Sequence, residues 1–220
     1  MPTALVSGAN RGLGLEFCFQ LKELGYRVLA LCRTPSDELK EAADLILSDV
    51  DVTDLQSLRD AASSIPQEKI DLLINNAGIL HIENFPGLDF DSILRQFEVN
   101  SLGPLKVTEA FSANLNPKAK VVVVTSRMGS IADNTSGGYF GYRMSKAAVN
   151  AAFVSLAHAL KPRGIAVGIL HPGYVQTDMT RHHGEFTPAE SVAGMLERID
   201  ELTPSVPPKF QHFQGHSIPW

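Results

Sequence analysis

Thr3-Ala4-Leu5-Val6-Ser7-Gly8-Ala9-Asn10-Arg11-Gly12-Leu13-Gly14 is the stretch on which the fold turns. Its first five residues are a short apolar run of β type that stops at a glycine. From Gly12 the spacing changes: Leu13, Phe17, Leu21 and Leu24 fall on one helical face, and Gly25 fits the position that ends a helix. The glycines between the two runs allow a tight turn. They also let the backbone approach an anion such as a pyrophosphate, which the free N–H groups and dipole of the following helix favour. The spacing, with three residues between the first two glycines, differs from the commoner G-x-G-x-x-G.

The same alternation continues outward. Arg27–Cys32, Leu45–Leu47, Ile70–Ile74, Val121–Val124 and Ile165–Leu170 read as further strands. The four consecutive valines mark a strand buried on both faces. Helices are expected after a cap at Thr34-Pro35, from a capping box at Thr53–Gln56 to about Ser63, and from Asp89 to about Asn114 with a kink at Gly103-Pro104. Two more are expected over Tyr142–Leu160 and from a second capping box, Thr187–Glu190, to about Leu202. The tail after Pro204 is rich in proline and polar residues. Six strands alternating with helices imply one α/β domain over residues 1–220, a doubly wound parallel sheet with helices on both sides, in three layers.

Composition narrows the function. The 220 residues are 44% hydrophobic and 20% charged, enough for one full core. The net charge of −5 and the absence of a lysine/arginine cluster argue against nucleic acid. No apolar stretch reaches the roughly 18 residues of a membrane span, and the amino terminus lacks the pattern of a signal peptide. Two unpatterned cysteines, Cys18 and Cys32, suggest a reducing compartment and no zinc site. The expectation is a cytoplasmic protein. His182-His183 reads as a solvated loop pair and no metal site is expected.

The glycine spacing resembles that of the short-chain dehydrogenase/reductase family, T-G-x-x-x-G-x-G, with Ser7 keeping the hydroxyl of the first position. Asn75-Asn76-Ala77-Gly78, Asn100, Ser126, Tyr142-Arg143-Met144-Ser145-Lys146, Pro172-Gly173 and Thr177 follow in family order. Ser126–Ile131 with Asp133-Asn134 is similar to the carbonyl-reductase-like branch that includes the C-factor proteins. The resemblance implies a Rossmann fold and an oxidoreductase that moves hydride between a nicotinamide and a carbonyl or secondary-alcohol substrate. It further implies cofactor contacts at Gly8, Asn10, Arg11, Gly12, Leu13, Gly14, Asp51, Val52, Asn76, Ala77, Gly78, Pro172, Gly173, Val175 and Thr177. Asp51-Val52 would meet the adenine and Thr177 the nicotinamide carboxamide. Tyr174 and Met179–Phe186 would border the substrate.

Tyr142 and Lys146 are four apart and share a helix face. An ammonium beside a phenol favours the phenolate and is expected to pull its pKa down from about 10. By resemblance, Tyr142 protonates the substrate oxygen, Lys146 also holds the nicotinamide ribose, Ser126 orients the substrate oxygen, and Asn100 holds a water in a proton relay. Thr125 or Ser130 could replace Ser126. Tyr139, seven before Lys146, resembles the enoyl-reductase arrangement and is the rival acid. NAD selectivity uses an acid at the end of the second strand. Here Cys32-Arg33 stands there, and with Arg11 two guanidiniums would suit a 2′-phosphate, so NADP is expected over NAD. The Tyr142 helix resembles the family's dimerising helix, which implies a homodimer. The alternative is a nucleotide-sensing signalling protein with incidental catalysis. A sugar-nucleotide epimerase is disfavoured because no additional substrate domain follows.

Overall fold

The apolar runs become strands: β1 (Thr3–Ser7), β2 (Arg27–Leu31), β3 (Leu45–Leu47), β4 (Ile70–Asn75), β5 (Leu115–Val124) and β6 (Ala166–His171). The computed structural model describes residues 1–220 and adds a strand the sequence reading lacks, β7 (Phe210–His212). All seven pair in parallel in the order β3-β2-β1-β4-β5-β6-β7. The order reverses between β1 and β4, the switch point at which the crevice of such a sheet opens.

Helices α1 (Gly12–Glu23), α2 (Asp37–Ala42) and α7 (Pro188–Asp200) cover one face, burying Phe17, Leu21, Leu39, Val192 and Met195. Helices α3 (Leu55–Ser64), α5 (Gly103–Ala110) and α6 (Phe140–Leu160) cover the other, burying Leu58, Val107, Val149 and Phe153. Helix α4 (Phe90–Phe97) packs on α6.

Several boundaries differ from expectation. Ser36, not Thr34, caps α2, its Oγ accepting from Leu39 N at 3.2 Å. Asp54 caps α3, accepting from Gln56 N and Ser57 N. Thr53 instead donates twice to Asp51 Oδ1. The box at Thr187–Glu190 forms as expected, with Glu190 N on Thr187 Oγ1 at 3.2 Å and Thr187 N on Glu190 Oε2 at 2.8 Å. The long Asp89–Asn114 segment is broken. A π-helical turn at Glu98–Leu102 separates α4 from α5, and a 3₁₀ turn at Ser112–Asn114 ends the segment. Pro104 has no N–H for the carbonyl four residues back, that of Asn100, and its ring crowds it, so the helix widens there. Strand β7 is three residues inside a polar tail. It has no pattern of its own and exists because the β6 edge pairs Ile169 with Phe210 and His171 with His212. Phe153, on the helix that resembles the family's dimerising helix, lies in the core.

His171 and His212 close β6 and β7 with ring centroids 5.2 Å apart, and His216 stacks on His212 at 4.4 Å. Burial, reinforced by neighbouring positive groups, pushes His171 down to about 3 and His212 down to about 4. Unfolded histidine titrates near 6.5. Below that pH the unfolded chain takes up protons that the folded chain refuses, so stability is full above about pH 6.5 and falls as pH drops. Each histidine contributes a slope of up to about 1.4 kcal/mol per pH unit. Urea unfolding should show stability declining from about pH 6.5 to about pH 4, with a shallower decline in His171→Asn. A flat profile over that window would remove the histidines from the stability of the β6–β7 edge.

Candidate active site

At the switch point two chain exits are pressed together. Gly8 has φ +64°, and a Cβ there would sit 2.8 Å from Ala77 Cα; a Cβ on Gly14 would sit 2.1 Å from Gly8 O. Only glycine lets the loop after β1, the start of α1 and the loop after β4 meet this closely. Polar groups then lock the contact. Ser7 Oγ accepts from Asn76 N (3.1 Å) and Ala77 N (3.3 Å), and Asn76 Nδ2 donates to Ser7 O and Gly8 O, both at 3.2 Å. The first turn of α1 has no capping side chain and no acid, which leaves its N–H groups to an anionic ligand.

A cleft of about 440 Å³ opens above this contact. Gly8, Asn10, Arg11, Gly12, Leu13, Arg33, Asp51, Val52, Asn76, Ala77, Gly78, Tyr142, Lys146, Pro172 and Thr177 all line it. Gly14, Asn100, Ser126, Gly173 and Val175 lie behind that surface. Gly173 (φ +81°) has Phe186 and Phe213 within 2.9 Å of where a Cβ would be, and Val175 is buried. Tyr174 is half exposed and outside the cleft lining, and its carbonyl accepts from Glu185 N and Phe186 N. A larger hollow of about 610 Å³ lies at the other end of the sheet, between α1 and α7. Leu21, Leu24, Tyr26 and Leu196 line it, and none of the groups above reaches it.

Two arginines were expected at the adenosine end, and they behave differently. Arg33 is exposed on the cleft and makes no ion pair. Arg11 is engaged across the cleft mouth with Asp178 (2.8 Å), which also takes His182 Nε2 at 3.1 Å. Asp51 is held below the usual carboxylate range: burial pushes it up, but the Thr53 hydrogen bonds and the charges of Arg95 and Arg33 outweigh that. Arg95, 3.6 Å from Asp51, together with Ile79 and His81, are cleft residues the sequence reading missed. They reach the cleft from α4 and an irregular loop, and carry no motif.

Tyr142 and Lys146 are both buried, as one face of α6 turned into the cleft. Lys146 Nζ donates to Val124 O (3.0 Å) and sits over the Tyr142 ring, 5.6 Å from its centroid. The expected depression of the phenol pKa is absent. Burial pushes Tyr142 up to about 12, and the Ser126 hydroxyl opposes this only in part. Burial also pushes Lys146 down to about 8. The ammonium lies over the ring face, so desolvation of both charges dominates. Ser126 Oγ accepts from Met128 N at 3.2 Å. Its rivals are committed elsewhere: Thr125 Oγ1 donates to Asn150 Oδ1 (2.7 Å), and Ser130 Oγ joins Asp133 N and the Trp220 carbonyl. Tyr139 begins α6 with φ +53° and lies outside the cleft lining.

Asn100, in the π-helical turn, is fully buried. Its amide donates to Ile79 O (2.9 Å) and Ser145 Oγ (3.0 Å) and accepts from Ile79 N (2.8 Å). A Cβ on Gly78 would lie 3.3 Å from Asn100 Oδ1 and 3.8 Å from Lys146 Nζ, so the three converge.

The chain matches the short chain dehydrogenase family over residues 2–187. It belongs to that family, and with it to the oxidoreductases. It is 40% identical to 1-hydroxy-2-glutathionyl-2-methyl-3-butene dehydrogenase of Rhodococcus sp. (strain AD45), over the full length of both chains. It is 43% identical over 166 residues to C-signal of Myxococcus xanthus, which covers 74% of this chain and all of that one. Among solved structures, the NADPH-bound carbonyl reductase from chicken fatty liver superposes with a TM-score of 0.91 at 30% identity, covering 100% of this chain and 99% of that one. These relatives place the short-chain dehydrogenase on the C-factor and carbonyl-reductase-like branch. No helix in it is long and apolar enough to cross a membrane.

Proposed function

We propose that this short-chain dehydrogenase is an NADP-dependent enzyme interconverting a carbonyl and a secondary alcohol, with Tyr142 as general acid and base. The carrying observation is the burial of Tyr142 and Lys146 together on the cleft, with the Ser126 hydroxyl against the phenol. The cofactor would supply or accept the hydride. Its pyrophosphate fits the uncapped start of α1 and the crowded glycine cradle, where any side chain would fill the space. The unpaired guanidinium of Arg33, with no acid at the end of β2, favours a 2′-phosphate. The carbonyl reductase named above carries NADPH, in agreement.

Reduction needs a proton on the nascent alkoxide. A phenol held near 12 remains protonated at neutral pH and donates to that oxygen, while Ser126 fixes the oxygen beside it. Lys146, buried on the same cleft, would relay charge and hold a ribose hydroxyl of the bound cofactor. Asn100 ties the loop after β4 to Ser145, one residue before Lys146. The likeness to C-signal supports the signalling alternative, but a buried Tyr/Lys pair on a cofactor-sized cleft favours chemistry. The buried free thiols of Cys18 and Cys32 suit the cytoplasm.

Surface chemistry on one side of the sheet supports a homodimer. Helix α4 leaves Phe90 and Leu94 exposed, and α6 leaves Met144 and Ala151 exposed. These exposed apolar side chains, on two helices that pack together, would form the association face. Sedimentation at micromolar concentration should give a dimer that Leu94→Glu dissociates while remaining folded. A monomeric parent protein would exclude it.

Arg33→Asp should weaken NADPH about 10–10²-fold, the loss of one charged hydrogen-bonding partner of about 1.5–3 kcal/mol, and improve NADH relative to it. Titration of both cofactors against parent and variant is the measurement, and an unchanged preference removes Arg33 from the argument.

Tyr142→Phe should keep NADPH binding near the parent's and lower turnover about 10²–10⁴-fold on the best substrate of a carbonyl panel. Tyr139→Phe should cost far less. Reversed outcomes would assign the acid to Tyr139; full activity in both would place the proton source elsewhere.

A further inference from the structure

The loop between β4 and α4 inverts the usual partition of side chains. Ile82 is 56% exposed and Phe85 78%, whereas Glu83 between them is 3% exposed. An acid is almost never buried this deeply without a partner. Glu83 meets no cation. Its Oε2 accepts from the backbone N–H of Gly141 at 3.1 Å, and its Oε1 accepts from Ser92 Oγ (3.2 Å) and, by a short bond, from Gln96 Nε2.

Gly141 lies in the first turn of α6, one residue before Tyr142. That turn lacks the ordinary local cap: Tyr139 occupies the cap position in a left-handed conformation and contributes no side-chain hydrogen bond. Glu83 satisfies one of the orphan N–H groups from another part of the chain, where the dipole of a 21-residue helix also favours it. The fit has no slack. A Cβ on Gly141 would lie 2.6 Å from Gln96 Nε2, 3.0 Å from Glu83 Oε1 and 3.0 Å from Ile93 Cα. Gln96, fully buried, spends its carbonyl on the N–H of His81, a cleft residue (3.0 Å).

We propose that Glu83 is a positioning residue for Tyr142: it caps α6 in trans and, through Gln96, fixes the start of the catalytic helix and the His81 edge of the cleft as one unit. This rests on the reading of Tyr142 as the acid. The cap sits one residue from that phenol, and a displacement of about 1 Å at a reacting group costs about 10²-fold in rate.

The test uses Glu83→Gln, Glu83→Ala and the exchanged pair Glu83→Gln with Gln96→Glu. In Glu83→Gln only one acceptor remains for three donors. In the exchanged pair, the amide at 83 can accept from Gly141 N and donate to the carboxyl at 96, which still accepts from His81 N. The first readout is hydrogen exchange at the amides of Gly141 and Tyr142 in the cofactor-free protein, which is independent of activity. The second is kcat against KM for NADPH in carbonyl reduction. Expected are faster exchange in both single variants, kcat lowered about 10–10²-fold, an NADPH KM within about threefold of the parent's because the glycine loop is remote, and recovery of exchange and kcat in the exchanged pair. Parent-like exchange in Glu83→Gln overturns the cap. Faster exchange with unchanged kcat overturns the positioning role. An exchanged pair that folds yet recovers neither overturns the network. If Tyr142→Phe is itself fully active, the acid is misassigned, and the exchange readout still decides whether Glu83 caps the helix.

Discussion

The approach of Gly8 to Ala77 at the ends of β1 and β4 is the constraint on which the rest of the site depends. A parallel sheet places strand ends side by side but does not by itself bring their loops into contact. Here Ser7 Oγ and the Asn76 side chain hold the two loops together through four hydrogen bonds, all between 3.1 and 3.3 Å. Because Gly14 also lies against Gly8 O, helix α1 begins inside this contact and points its uncapped N–H groups into the cleft. A side chain at either glycine would separate the uncapped start of α1 from the loop carrying Gly78, and hence from Lys146.

The opposite wall is built on α6, and its electrostatics follow from burial more than from pairing. Lys146 donates to the Val124 carbonyl and covers the Tyr142 ring, so neither the phenolate nor the ammonium has the solvation it would have in water. Both shifts favour the neutral forms. A neutral phenol is the form required to protonate an alkoxide. Two polar networks then join this wall to the loop after β4: Asn100 grips Ile79 and Ser145, while Glu83 and Gln96 join His81 to Gly141. The π-helical turn that carries Asn100 is a consequence of Pro104. Thus a backbone irregularity sets the position of a site residue.

The mouth of the cleft is closed by exposed charges. Arg11 of the glycine loop meets Asp178, directly after Thr177, and His182 joins the same carboxylate. A pair this exposed is worth little to stability, so releasing Arg11 from Asp178 costs little. Arg33, unpaired on the same cleft, has no such competitor.

The sequence by itself determined the layer architecture and named most of the residues that line the cleft at the switch point. Periodicity, the valine run and the glycine spacing are local properties: a helix face, a doubly buried strand and a positive φ at Gly8 each depend on residues within a few positions. Tyr142 and Lys146 were legible for the same reason, as one helical turn. What needed the tertiary structure were features fixed by partners distant in the chain. Strand β7 exists because β6 offers an edge, and Arg95 and His81 reach the cleft only because α4 packs against α6 and Gln96 of α4 holds the His81 N–H. Arg11 was assigned by its loop position, but Asp178 across the mouth decided its partner. The phenol was expected to be acidified by a lysine one turn away, and burial by the whole fold moved it in the opposite direction. Desolvation, edge pairing and trans capping are sums over surroundings that no local pattern encodes.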